Sequence, residues 1–333
     1  MADHPWKSLG VPKGQSEITA RRVAEGIRWD FYWARDSEGR SLLFMTHDPG
    51  SSPRVRLPHL KGIEVFIHSD AKNGRQSFAL RLLDPSLRDL FERLCLDIVA
   101  STDSAASEPE AVHTALSRTW RWHHLLRGGA AGLLSSEEQK GLIGELLVLE
   151  RYLLALTSPA LAVAAWRGPL GEPVDFVIGR TAIESKARGS SDAAMVHISS
   201  EFQLANPQGD ALFLHLTVLD SADADDDLGF TVADVALRVR DRLGGGDKVT
   251  VERFNALLAA AGFRFEDDYS HARWQGGERS IYRVHDTFPR LTTDTVPAGV
   301  SNVAYLLSLA VCGPFLVDPS ALEAAITGVD RVD

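Results

Sequence analysis

The sequence predicts a mixed α/β (α+β) protein: an N-terminal β-rich module, then an αβββαβ core, then a C-terminal α/β extension. Three observations lead there. Ile27, Trp29, Phe31 and Trp33 alternate with more polar residues, the period of a half-buried strand. Between residues 135 and 243 one helical pattern is followed by three short strand patterns, a brief helix, an apolar strand and another helix. Between these regions "STDSAASEPEA" is small, polar and proline-containing, the composition of a linker.

Each element has a local reason. "IRWDFYWARDSEGRSLLFMTHD" reads as a hairpin around the turn-rich "DSEGR", and "KGIEVFIHS" and "SFALRLL" read as further strands. "DPSLRDLFERLCLDIVAS" reads as a helix capped by Asp84 with Pro85 at its first position. Residues 1–100 are therefore expected to form one module, 101–110 a linker, 111–245 the core and 246–333 an extension packed on it. Helical patterns surround "AVHTALSRTWRWHHLLRG" and "SSEEQKGLIGELLVLERYLLAL", the second with Ser135 and Glu138 spaced as a capping box. Strands follow at 174–178, 181–187 and 194–199, then a brief helix from Ser200, the strand "ALFLHLTVL" and the helix "TVADVALRVRDRLGGG", stopped by its glycines. In the extension "VERFNALLAAAG" reads as helix and "RSIYRVHD" as strand, while "VSNVAYLLSLAVCGPFLV" fits either.

Composition narrows the function. A chain of 333 residues with 44% hydrophobic content can bury a large core, as two domains or one with extensions. No apolar run approaches the about 18 residues of a membrane helix. The start "MADHPWKSLG" lacks a basic region followed by an apolar one, so the expectation is a cytoplasmic protein with no membrane partner. Cys95 and Cys312 lie far apart in apolar segments and suit buried thiols in a reducing compartment. The net charge of -10 opposes nonspecific coating of nucleic acid, which needs many Lys and Arg against phosphates. Much of the acidity is concentrated at Asp220, Asp223, Asp225, Asp226 and Asp227, and a local basic groove remains compatible with it.

The stretch "VDFVIGRTAIESKA", residues 174–187, sets three ionisable side chains among strand formers. With Gly179 and Arg180 as a two-residue hairpin loop, residues whose numbers sum to 359 face each other. Asp175 then falls opposite Glu184 at a Cβ separation of roughly 5 Å. Lys186 shares the face of Glu184, while Phe176, Ile178, Ile183 and Ser185 point the other way. Like charges opposed on a sheet are destabilising, and a buried carboxylate needs a partner. Lys186 offsets one charge; a divalent cation held by Asp175, Glu184 and the Ser185 backbone carbonyl would offset both, and hard oxygen ligands suit Mg²⁺. Glu145 poses the same problem, because its helical neighbours Leu142, Val148, Leu149 and Tyr152 are apolar and its carboxylate leaves the packed face.

Asp175, eight intervening residues and "ESK" resemble the PD-(D/E)XK nuclease signature, and the element order resembles the restriction-endonuclease-like αβββαβ core. Together with "GLIGELLVLERYLL", "AWRGPLGEPVDF" and "HISSEFQL", the stretch 135–206 is similar to a bacterial family named only for that motif, whose members tend to occur with restriction or phage-defence genes. The resemblance implies that Asp175 and Glu184 ligate Mg²⁺, with Mn²⁺ as a substitute, that Glu145 completes the metal shell or holds a second ion, and that Lys186 positions or activates the attacking water and stabilises the phosphorane-like charge. It implies a glutamine near the scissile phosphate at Gln203. The literal "PD" is absent, since Val174 separates Pro173 from Asp175.

The resulting expectation is a Mg²⁺-dependent DNA endonuclease, a partner of other subunits of a restriction or defence system and compatible with a homodimer. A non-catalytic nucleic-acid-binding or scaffold subunit of the same fold is the rival, and RNA or modified bases are further substrates to consider. Other signals are set aside. "DADDDLG" has its glycine one place late for a calcium loop, and "GGGD" lacks the lysine of a phosphate loop. His123 and His124 are adjacent and so point to different faces of a helix, and His197 reads as a hydrogen-bonded structural histidine.

Overall fold

The computed structural model describes residues 4–14, 17–53, 57–58, 60, 62–70, 73–127, 133–205, 211–223, 226–244, 247–292, 294–297, 300 and 303–328, without the side chains of 121 and 123–127. The chain divides into two units, Met1–Gly129 and Ala130–Asp333.

In the first unit the strands are β1 (Ile18–Arg22), β2 (Phe31–Asp36), β3 (Ser41–His47), β4 (Ile63–Ser69) and β5 (Gln76–Leu82). They form one antiparallel sheet in the order β1-β2-β3-β5-β4. Alternation puts Phe31, Trp33, Leu43, Met45, Phe78 and Leu80 on one face, where they pack with helices α1 (Arg88–Thr102) and α2 (Glu108–Arg127). Asp84 caps as expected, but it accepts the Ser86 N–H of a 3₁₀ turn at Pro85–Leu87, and α1 starts only at Arg88. Ile27 and Trp29 precede β2 and pack against the same core rather than extending the strand.

The linker expected at 101–110 is not there. Residues 101 and 102 end α1, residue 108 begins α2, and only 103–107 lie between. Ala111, Val112, Ala115 and Leu116 are buried in the first unit's core, so α2 belongs to that unit and the division follows it.

The second unit begins with α3 (Ser136–Val148), whose Ser135 and Glu138 form the expected capping box. A π-type turn, Leu149–Leu153, leads to α4 (Leu154–Leu156) and then α5 (Pro159–Ala165). There follow β6 (Phe176–Ile178), β7 (Thr181–Arg188), β8 (Met195–Ile198), β9 (Ala211–Ser221), α6 (Val232–Leu243), α7 (Lys248–Ala260), β10 (Trp274–Val284), β11 (Tyr305–Ser308), β12 (Leu316–Val317) and α8 (Pro319–Thr327). The main sheet has the order β12-β10-β9-β7-β6, with β7 and β9 parallel and the other pairs antiparallel. Strand β9 is buried from Ala211 to Leu219, as a central strand covered on both faces should be. Ile183 and Phe213 face the core shared with α3, α6 and α7, while Ala182, Leu212, Leu214 and Leu216 face the core shared with β8 and β11.

Three expectations change. Residues 201–204 make turns instead of a helix, and β8 pairs with β11 in a separate two-stranded sheet. Residues 246–333 are not an appended extension, since β10 and β12 supply two of the main sheet's five strands. Helix α6 ends at Leu243 with Gly244 as its C-cap, as the glycine stop predicts, although Gly244 itself keeps φ at -61°.

Candidate active site

The hairpin register is the one the sequence predicts: Phe176 faces Ile183, Val177 faces Ala182 and Ile178 faces Thr181 across Gly179 and Arg180. Gly179 takes φ of +55°, the left-handed region that a two-residue loop needs at its first position. The ladder ends at Phe176, and Asp175 replaces it with a side-chain bond. Its Oδ2 accepts the Ser185 N–H at 2.7 Å. Its carbonyl oxygen accepts the N–H groups of Arg167 and Gly168 at 2.7 and 3.0 Å, and Trp166 makes a bridge to Phe176. Asp175 is thus fixed at both ends where β6 begins.

Glu184 lies on the next strand and is 1% exposed. Lys186 Nζ stands 2.8 Å from its Oε1, an ion-pair contact, and the Asp175 backbone N–H also favours the ionised carboxylate. Burial first, and then the Asp175 carboxylate, push Glu184 up to about 8 against the opposing pull of Lys186. Lys186 also donates to Gln203 Oε1 at 3.1 Å, and that oxygen accepts the Ser199 N–H at 2.7 Å. Gln203 therefore reaches the site from the turn at 201–204, where a helix start was expected.

Glu145 comes from α3, which packs closely on β7 because residue 144 is glycine: a Cβ there would lie 3.2 Å from Ser185 Oγ. Glu145 Oε2 accepts the Trp166 indole N–H at 2.6 Å. A Cβ on Gly168 would lie 2.6 Å from that same Oε2 and 2.8 Å from Asp175 Oδ1, so the two carboxylates converge over a bare glycine. Burial and then Asp175 raise Glu145 well above the ordinary carboxylate range, with the Trp166 bond acting the other way. Burial also raises Asp175, opposed by Lys186 and the Ser185 N–H. Glu145 and Asp175 are each partly exposed, which moderates the burial effect on them, whereas Glu184 is sealed.

The structure brings together Glu145, Asp175, Glu184, Lys186, Gln203 and the Ser185 backbone. Among the described residues no three His, Cys, Asp or Glu side chains already form a cluster able to hold a metal. Glu145 is turned to Trp166, Asp175 to Ser185 and Glu184 toward Lys186. The donor chemistry nevertheless fits a hard divalent cation: three carboxylates, Glu145, Asp175 and Glu184, each with its proton affinity raised by burial. Sequence reasoning passed over Trp166 and Gly168, whose only signal is their place in "AWRGPLGEPVDF". His197 sits exposed on β8 beside Ser199, the side chains of His123 and His124 lie outside the described residues, and the acidic run 220–227 is described only in part.

No curated protein and no solved structure matches the chain. A family model does, over residues 2–310, and its description reads "Putative PD-(D/E)XK family member, (DUF4420)". A mixed α+β unit holding an Asp and a Glu-x-Lys on adjoining strands fits the restriction-endonuclease-like fold of that grouping. With nearly its whole length matched, the chain belongs to the DUF4420 family of PD-(D/E)XK proteins.

Proposed function

We propose that this protein is a metal-dependent endonuclease that hydrolyses DNA phosphodiesters and serves a restriction or phage-defence system. The observation that carries the proposal is Glu184: sealed from water, beside a second carboxylate and 2.8 Å from a lysine. A purely structural site would be better served by apolar residues, because an imperfectly paired buried charge is destabilising. Asp175 and Glu184 would hold Mg²⁺ or Mn²⁺, with Glu145 and the Ser185 carbonyl as further oxygen donors. When bound, the cation supplies Lewis acidity and a nucleophile available near neutral pH.

The residues supply the rest. Lys186, steadied by Gln203 Oε1 and Glu184, presents an ammonium that orients the attacking water and stabilises the negative charge growing on the phosphoryl oxygens. Asp175, held through Ser185 and the 167–168 backbone, needs little reorganisation to act. DNA as substrate and the defence role are supported by the family resemblance alone. Incubating the protein with plasmid, linear DNA and RNA, each with Mg²⁺ or Mn²⁺ against EDTA, tests the proposal. Cleavage of DNA only when metal is present is expected; intact DNA under every condition leaves a non-catalytic subunit of the same fold.

A further inference from the structure

We propose that Gly168 and Trp166 are the positioning residues that set Glu145 and Asp175 to receive a divalent cation as a pair, an inference that rests on the metal-dependent reading above.

Two carboxylates repel each other, and some feature of the chain must hold them together before a cation arrives. The segment 166–168 does so in three ways. The Trp166 indole N–H clamps Glu145 Oε2 at 2.6 Å. The N–H groups of Arg167 and Gly168 hold the Asp175 carbonyl, which ties the segment to the second carboxylate. Finally Gly168 has no side chain where one would stand 2.6 Å from Glu145 Oε2 and 2.8 Å from Asp175 Oδ1. Real Cβ contacts are essentially never so short, so any other residue would drive at least one carboxylate away.

The glycine is not required by the backbone. Gly168 is absent from the glycines with positive φ, which include Gly171 and Gly179 nearby. It is also the first residue of a 3₁₀ turn, a conformation that alanine adopts freely. The space beside the two carboxylates is what demands it. The segment cannot slide aside to make room, because two backbone hydrogen bonds and the buried Trp166 ring, 1% exposed and packed near Phe254, anchor it.

The test uses Gly168→Ala and Trp166→Phe in the full chain. Trp166→Phe keeps an aromatic ring in the core and deletes the donor together with part of the buried ring volume, and its metal-free melt measures that lost packing. Binding of Mg²⁺ and Mn²⁺ alone, without DNA, is followed by calorimetric titration and by the metal-induced rise in melting temperature, with metal-free melts in EDTA as the control. Gly168→Ala is expected to weaken cation binding at least tenfold while leaving the metal-free melt within a few degrees of wild type. Trp166→Phe is expected to weaken binding to a lesser degree. Wild-type affinity in both variants would overturn the inference and leave the metal-dependent reading intact. A lowered metal-free melt with an unchanged metal-induced rise would show a purely structural role and overturn it as well. No cation binding by wild type would remove the metal-dependent reading and this inference together. If Gly168→Ala does not fold, Trp166→Phe decides between these outcomes.

Discussion

Asp175 and Glu184 place two carboxylates side by side on adjoining strands, and burial raises the proton affinity of both. Glu184 ordinarily titrates at 4.5 and is pushed to about 8 by burial and by Asp175. Between those values the folded chain binds a proton that the unfolded chain has released, so rising pH lowers stability across that window. His215, lowered from 6.5 to about 4 by burial and then by Arg279 and Arg151, has the opposite slope below 6.5, but it is common to wild type and a Glu184 variant and cancels in their difference. Metal-free Glu184→Gln should therefore melt above wild type by a wider margin at pH 9 than at pH 5; an equal margin at both would show that Glu184 is not the titrating group. Asp175→Asn should melt no lower than wild type in EDTA, since it removes one of the opposed charges, and should lose the rise that Mg²⁺ gives wild type; an undiminished rise would exclude Asp175 as a ligand. The site's centre was legible in sequence because Asp175, Glu184 and Lys186 follow from one hairpin's spacing, a local property. Trp166 and Gly168 were not, because the need for them arises from Glu145, 21 residues before Trp166 and on another element.

Elements with a strong internal pattern match their sequence signals, and the exceptions have physical reasons. β2, β3, β4 and β5 coincide with apolar, strand-forming runs in the sequence, and the capping box of α3 sits at its expected place. β1 was missed because it is an edge strand, "ITARR", with four of its five residues exposed and no apolar face to announce it. The residues of "SSEFQL" are compatible with a helix, yet 201–204 form turns in which Gln203 is committed to the Ser199 N–H and Lys186. Helix α3 offers a paired test of packing. Gly144 abuts Ser185 Oγ and Ala187, so Gly144→Val should destabilise by about 1–3 kcal/mol through overpacking. Gly141, on the same helix, meets nothing within 4 Å, so Gly141→Ala should stabilise by up to about 1 kcal/mol through helix propensity. Denaturant melts that rank the two variants in the reverse order would show that α3 does not lie on β7 through Gly144.

At the scale of the molecule the acidity is unevenly shared. Residues 1–129 carry 18 Lys and Arg against 16 Asp and Glu, whereas residues 130–333 carry 17 against 29. The second unit thus carries a net -12 and the first +2, so the acidity does not weigh against phosphate contacts made by the first. Placing α2 in the first unit makes a further prediction: residues 1–129 expressed alone should melt cooperatively, while residues 1–107, which lack Ala111, Val112, Ala115 and Leu116, should not. The central claim, that Asp175, Glu184 and Lys186 form a metal-dependent phosphodiesterase site, is tested most directly by the nicking rate of supercoiled plasmid at saturating Mg²⁺ for wild type and Lys186→Ala, the variant's cation binding being confirmed alongside. The account predicts that wild type cuts, that EDTA abolishes cutting, and that Lys186→Ala binds the cation but cuts at least a hundredfold more slowly. Equal rates for the two proteins, or a wild type that binds Mg²⁺ and leaves the plasmid intact, would contradict it.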